Sequence, residues 1–205
     1  MTSERRTEHL VIVVDDDWRI REALAELLAS HQFTALTFPG LTEYRGFERP
    51  CVPTCLVLDV ELPGLSGLDY QAQIPADALP PIVFITGHGD IPSSVQAMKL
   101  GAVDFLTKPL AEAAFVRAVE TALERANTSL VANARLQALR ERLALLTARE
   151  REVMPLVVAG LLNKQAAGKL GISQVTFQIH RGRVMQKMGA DSLAELVRMA
   201  VALDM

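Results

Sequence analysis

Cysteine, one-signed charge and long apolar runs are all scarce in this 205-residue chain, and each scarcity closes off a class of protein. The two cysteines, Cys51 and Cys55, have no second pair and no nearby histidine, too few ligands for a disulfide framework or a zinc site. They are expected to be buried or idle thiols. The longest apolar runs, Leu10 to Val14 and Leu156 to Leu162, fall far short of the roughly 18 residues that a membrane span requires. The opening MTSERRTEHL lacks an apolar stretch followed by a small-residue cleavage site, so a soluble cytoplasmic protein is expected. A net charge of −3 marks the whole chain as neither a polyanion nor a basic nucleic-acid binder. Half of the residues are nonetheless apolar, which excludes disorder, and the length allows one or two domains.

The average charge hides a division. Residues 1–125 carry 10 basic and 18 acidic side chains, 126–146 carry 3 and 1, and 147–205 carry 8 and 5. The front half is acidic and the back half basic.

Within the first 110 residues, short β-branched runs alternate with helical patterns. The runs are Leu10 to Val14, a weaker one at Phe33 to Phe38, Cys55 to Leu58, Ile82 to Ile85 and Val103 to Leu106. Strands apolar on both faces suit a parallel sheet covered on both sides. The period is βα repeated five times, which predicts an α/β domain with a five-stranded, parallel, doubly wound sheet. In such sheets chemistry gathers outside the carboxyl ends of the strands. There the runs end in Asp15-Asp16-Asp17, Asp59, Thr86 and Thr107-Lys108-Pro109. The carboxylates of Asp15, Asp16 and Asp59, the Thr86 hydroxyl and the Lys108 ammonium should therefore meet on one edge.

Carboxylates crowded into one crevice repel one another unless a cation lies between them. Mg²⁺ suits that need, since it takes oxygen ligands and is held by one or two carboxylates together with phosphate oxygens. If Asp59 attacks a phosphoryl group, Lys108 and Thr86 can supply an ammonium and a hydroxyl to the phosphoryl oxygens. An aspartyl phosphate results. Asp17 has the place of a helix cap, and His88 that of a solvated loop residue near the crevice.

The segments VVDDD, LVLDVELPGLSGLD, FITGHGD and FLTKP resemble the receiver domain of bacterial two-component response regulators, over about residues 8–125. The resemblance implies a flavodoxin-like receiver whose acidic pair is Asp15 and Asp16, phosphoacceptor Asp59, hydroxyl switch Thr86 and lysine Lys108. It further implies a Mg²⁺ ligand set of Asp15, Asp16, Asp59 and the main-chain carbonyl of Glu61, a cis bond before Pro109, and Phe105 as the aromatic switch. A sensor histidine kinase is the implied phosphodonor. Homodimerisation through the fourth helix, fifth strand and fifth helix is the implied response.

Residues 110–146 contain neither Gly nor Pro and are rich in Ala, Leu, Glu and Arg, which reads as the last helix of the first domain running into a helical linker over 126–146. Leu136, Leu139, Leu143 and Leu146 repeat at 3-4-3 spacing for less than two heptads, a short coiled-coil seam or a stripe packed on a neighbouring domain. From 147 to 205 the pattern becomes all-α. Thr147 with Glu150 and Ser192 with Glu195 have capping-box form. Between them, a helix over 163–170, a turn at Gly171-Ile172-Ser173 and a helix over 174–188 form a helix-turn-helix pattern.

On the second of these helices Val175, Ile179, Gly182 and Gln186 share one side, with Gln178 beside them, while Phe177, Val184, Met185 and Met188 share the other. The first side can enter a major groove of promoter DNA. Gln178 can pair with adenine, Val175 and Ile179 can touch a thymine methyl, and Gly182 permits close approach. Lys164, Lys169, Arg181, Arg183 and Lys187 are placed to meet phosphates. The segments TAREREV, GLLNKQAAGKLGIS and VTFQIHRGRVMQKMGADSLAELV resemble the LuxR-type DNA-binding domain, in which Thr176 also belongs to the DNA-facing set. Phe177 departs from the usual valine, and Gln178 and Gly182 stand where many relatives have lysine. For His180 a structural hydrogen bond is expected.

The whole chain is thus similar to response regulators of the FixJ/NarL type, a phosphorylation-gated transcription regulator and not an enzyme in its own right. Two other readings are consistent with parts of the chain. Asp15 and Asp17 have the spacing of a Mg²⁺-dependent aspartate phosphatase, though the Gly-Thr that should follow is missing. The terminal helices also suit a protein-binding module.

Overall fold

The computed structural model describes residues 9–75 and 78–205. Residues 1–8, part of the stretch in which no leader is expected, and 76–77 lie outside the described residues. Contacts divide the chain into two compact units, 1–130 and 131–205.

In the first unit, strands β1 (Leu10–Val14), β2 (Ala35–Phe38), β3 (Thr54–Asp59), β4 (Ile82–Thr86) and β5 (Asp104–Thr107) alternate with helices α1 (Trp18–Ser30), α2 (Leu41–Arg45), α3 (Gly67–Gln73) and α4 (Ile91–Lys99). The strands form one parallel sheet in the order β2-β1-β3-β4-β5. β1, β3 and β4 are buried on both faces, which is why they read as continuous apolar runs. Val11, Val13, Cys55, Val57, Val83 and Ile85 point to the face covered by Leu24, Leu28, Phe115 and Val119. Their neighbours Leu10, Ile12, Val14, Leu56, Leu58 and Phe84 point to the face covered by Tyr44, Tyr70 and Ala97. β2 lies at an edge with Leu36 and Thr37 exposed, which accounts for its weaker apolar signal.

The order β2-β1-β3 means that the chain leaves β1 in one direction and returns on its other side. Val14 pairs with Leu58, so Asp15 and Asp59 emerge side by side at the carboxyl edge. Asp17 caps α1, its carboxylate accepting from Arg19 N at 2.9 Å.

Helix α5 (Glu112–Ala144) contains the boundary between the units. Ala126 is buried in the first unit, while Leu143 and Leu146 pack into the core of the second. That core gathers helices α6 (Ala148–Val158), α7 (Asn163–Leu170), α8 (Gln174–Met188) and α9 (Leu193–Ala202) around Val153, Met154, Phe177, Val184, Met188 and Leu196. Thr147 and Glu150 make the reciprocal capping box that starts α6. At α9 the box is offset by one residue, since Glu195 reaches Asp191 N and not Ser192 N. Gly171 ends α7 at φ +64°, a conformation that a residue with a Cβ adopts only under strain, and Ser173 opens α8. Among the described residues no helix is long and apolar enough to cross a membrane.

Candidate functional site

At the carboxyl edge, the Lys108 ammonium donates to Asp15 Oδ2 and to Asp59 Oδ2, each at 2.7 Å. Asp15 is fully buried, and its second oxygen accepts from Asp17 N at 2.9 Å. Asp59 is 4% exposed, and its Oδ1 accepts from Glu61 N at 3.1 Å. Burial raises the Asp15 carboxyl above the ordinary aspartate range against the opposing pull of Lys108. Burial also works against the Lys108 ammonium, but its hydrogen bonds to Asp15 and Asp59 outweigh that and hold its pKa above the usual lysine value.

Asp16 is exposed, yet its carboxylate lies within 4.8 Å of those of Asp15 and Asp59. Three hard oxygen donors so close together, with one ammonium to offset them, fit a hard divalent cation such as Mg²⁺. Asp17, the second acid of the phosphatase reading, is engaged at the helix cap and is not one of these three.

Thr86 ends β4, fully buried, and its hydroxyl is engaged locally: it donates to His88 O and accepts from His88 N, both at 3.1 Å. Phe105 is half-buried beside Phe84, with ring centroids 6.2 Å apart. The Lys108-Pro109 bond is cis. His88 is solvated, but it is not free. Its Nδ1 lies 3.2 Å from the Glu61 carboxylate.

In the second unit, α8 turns Phe177, Val184 and Met188 into the core and leaves Val175, Gln178, Ile179, Gly182, Arg183 and Gln186 exposed. Phe177 fits with no exposure at all. Thr176 is half-buried, its hydroxyl 2.8 Å from that of Ser173. Lys164 and Lys169 are exposed on α7, and Arg181 donates to Asn163 Oδ1 at 3.1 Å.

One expectation needs correction, and another meets a competitor. The Lys187 ammonium, expected to meet a phosphate, donates to Glu150 Oε2 at 2.7 Å and to Leu145 O at 3.1 Å. Glu150 is only 1% exposed and would be left uncompensated if Lys187 turned outward. His180 Nδ1 is buried with no hydrogen-bond partner among the described residues, so the structural bond expected of that ring is not made there.

Three features escaped the sequence reading. The Glu150–Lys187 pair joins residues 37 apart, and only the capping-box half of it carries a local signal. Arg142 donates to Met188 O at 2.9 Å, tying the end of α5 to the end of α8. Arg21 donates to the carbonyls of Asp15 and Asp16 at 2.7 and 2.9 Å, with no motif to announce it.

Comparison with known proteins finds two families along the chain. Residues 11–120 match the response regulator receiver domain, and residues 144–200 match the bacterial regulatory proteins of the luxR family. Nodulation protein W of Bradyrhizobium diazoefficiens is 46% identical over 202 residues, covering 98% of this chain and 89% of that protein. The transcriptional regulatory protein FixJ of the same organism is 40% identical, covering 95% and 96%. Among solved structures, the response regulator StyR superimposes with a TM-score of 0.83 at 44% identity, covering 95% of this chain and 98% of that one.

Proposed function

The chain belongs to the FixJ-like two-component response regulators, transcription regulators that join a receiver to a LuxR-type DNA-binding domain, and from that premise we propose that a phosphoryl group on Asp59 governs its use of DNA. The observation that carries this reading is the Lys108 ammonium, drawn between two carboxylates that lie 93 and 49 positions away in the chain.

The donor is a sensor histidine kinase. An Asp59 carboxylate oxygen attacks phosphorus, the new O–P bond forms, and the N–P bond to the kinase histidine breaks. Lys108 stays beside Asp59 and offsets charge on the phosphoryl oxygens. Asp15, Asp16, Asp59 and the Glu61 main-chain carbonyl would hold Mg²⁺, which would add positive charge beside those oxygens. Water later releases phosphate from the same residue, so the receiver resets itself.

Thr86 and Phe105 act as the switch. The Thr86 hydroxyl leaves the His88 backbone for a phosphoryl oxygen, and Phe105 moves behind it. Phosphorylation favours a homodimer through α4, β5 and α5, a reading supported by the exposed apolar stripe of Ile91, Val95 and Met98 on α4. Val175, Thr176, Gln178, Ile179 and Gly182 face the major groove of promoter DNA. Lys164, Arg181 and Arg183 meet its phosphates.

The test is labelling with a small acyl phosphate, followed by selection of bound DNA from a random pool with and without that donor. Wild type is expected to form an acyl phosphate on the peptide containing Asp59 and to select DNA more strongly once labelled. Full labelling of Asp59→Asn would reject Asp59, labelling at Asp15 would favour the phosphatase reading, and DNA selection indifferent to the donor would reject the coupling.

A further inference from the structure

Asp16 differs from its two partners in the acidic cluster. Asp15 and Asp59 are each fixed by hydrogen bonds to Lys108 and to a main-chain amide. The Asp16 carboxylate is exposed and accepts no hydrogen bond from the described residues, yet it still lies within 4.8 Å of the other two. Its direction must come from its backbone.

That backbone is held from two sides: Asp15 Oδ1 accepts from Asp17 N at 2.9 Å, and Arg21 engages the carbonyls. Arg21, in the first turns of α1, folds back so that Nη1 donates to Asp15 O at 2.7 Å and to Asp16 O at 2.9 Å. Bonds from a charged donor are about twice as strong as neutral ones, and a planar guanidinium holds its acceptors in a defined orientation. Two successive peptide planes are thereby fixed, and the Asp17 cap fixes the third residue of the loop. We propose that Arg21 is the positioning residue of the acidic pair: by holding the Asp15 and Asp16 carbonyls it aims the otherwise unsupported Asp16 carboxylate into the cation site.

This inference rests on the reading of Asp15, Asp16 and Asp59 as a Mg²⁺ site. The guanidinium also places a positive charge near that site, and charge alone would disfavour a second cation. The two effects therefore have opposite signs. If positioning dominates, removing Arg21 weakens Mg²⁺ binding; if charge dominates, removal strengthens it.

The experiment titrates the full chain with magnesium chloride alone by calorimetry. Fluorescence of Trp18, the single tryptophan, two positions from Asp16 and 57% exposed, gives a second readout. Arg21→Ala is expected to weaken Mg²⁺ on the order of tenfold, the usual effect of losing a group that orients a metal ligand. It should also slow labelling of Asp59 by acyl phosphate. Arg21→Lys keeps a charged donor and should recover part of the affinity, whereas Arg21→Gln should recover less. Thermal melts without Mg²⁺ show whether each variant is folded, and the Lys and Gln variants decide the matter if Ala is not. Equal or tighter Mg²⁺ binding in the folded Ala or Gln variant would overturn the proposal. Failure of the wild type itself to bind Mg²⁺ would instead overturn the underlying site.

Discussion

The Lys108 ammonium lies 2.7 Å from Asp59 Oδ2 while holding Asp15 Oδ2 at the same distance. The lysine side chain is 19% exposed and the two carboxylates 5% and none, so among the described residues it is the single countercharge in direct contact with two nearly buried acids. Removing one partner of a buried pair strands the other, at a cost of about 3–5 kcal/mol. Lys108→Met should therefore destabilise the first unit by about 3 kcal/mol, the lower end because the lysine retains some water. Added Mg²⁺ should restore more stability to this variant than it adds to the wild type, since a cation bound only by the folded form takes over the lost neutralisation. Urea unfolding with and without magnesium chloride measures both effects, and an unchanged midpoint for the variant would contradict them.

A second prediction concerns the backbone around the same residue. A Cβ added at Gly67 would stand 2.4 Å from Asp59 O and 3.1 Å from Leu58 Cγ. The first obstacle is main chain at the end of a buried strand, so it cannot rotate away. Gly67→Ala should cost about 1–3 kcal/mol, as overpacking does. It should also slow acyl phosphate labelling by displacing Asp59, whereas Gly168→Ala, with nothing near its added Cβ, should leave labelling unchanged.

Why some of this was legible in the chain and some was not follows from range. β1, β3 and β4 announce themselves because burial on both faces demands uninterrupted apolar residues, and the residue that ends each strand is then exposed to the crevice by position alone. Ser173 and Gly171 mark the helix-turn-helix because caps and left-handed turns demand particular residue types. The bond of Lys187 was hidden for the opposite reason. On a helix wheel it is one more cation beside the exposed side of α8, and its partner Glu150 is 37 residues away. Arg21 and Thr86 make bonds to backbone atoms, which leave no pattern in residue identity. His180 shows the same limit, because a buried nitrogen without a partner cannot be told from a bonded one until its surroundings are known.

The Glu150–Lys187 pair predicts a pH dependence of the second unit. The Lys187 hydrogen bond, then the Thr147 amide, lower the Glu150 carboxyl from 4.5 to about 2. A carboxyl depressed in the folded state contributes stability at pH above its unfolded value, and loses it as pH falls through the folded one. The contribution should be complete above about pH 4.5 and absent near pH 2. Glu150→Gln keeps an acceptor oxygen for the Thr147 amide and the Lys187 ammonium but removes the negative charge, so it should melt below wild type at neutral pH. The gap between the two melting curves should close on acidification through that window. A gap that persists at pH 2 would show that the glutamate acts by shape and not by charge.

The exposed face of α8 gives the last prediction, and its controls follow from the internal bonds of the helix. Arg183 is exposed with no side-chain hydrogen bond among the described residues, whereas Arg181 is bonded to Asn163 and Lys187 to Glu150. Arg183 is therefore the cleaner probe of a phosphate contact. Arg183→Ala should weaken binding to all DNA sequences alike and reduce the slope of log affinity against log salt by about 1, one phosphate's worth of released counterions. Gln178 is exposed on the face proposed to enter the groove and makes no side-chain hydrogen bond among the described residues. Gln178→Ala should cost about 1–3 kcal/mol at one base position of the preferred site and little elsewhere, with the salt slope unchanged. Lys187→Ala should lower the melting temperature of the second unit without a matching change in salt slope, because its charge serves Glu150. Titrations of a selected site and its single-base variants at several salt concentrations separate the three. A salt slope that falls for Lys187→Ala but not for Arg183→Ala would reverse the assignment of the two cations.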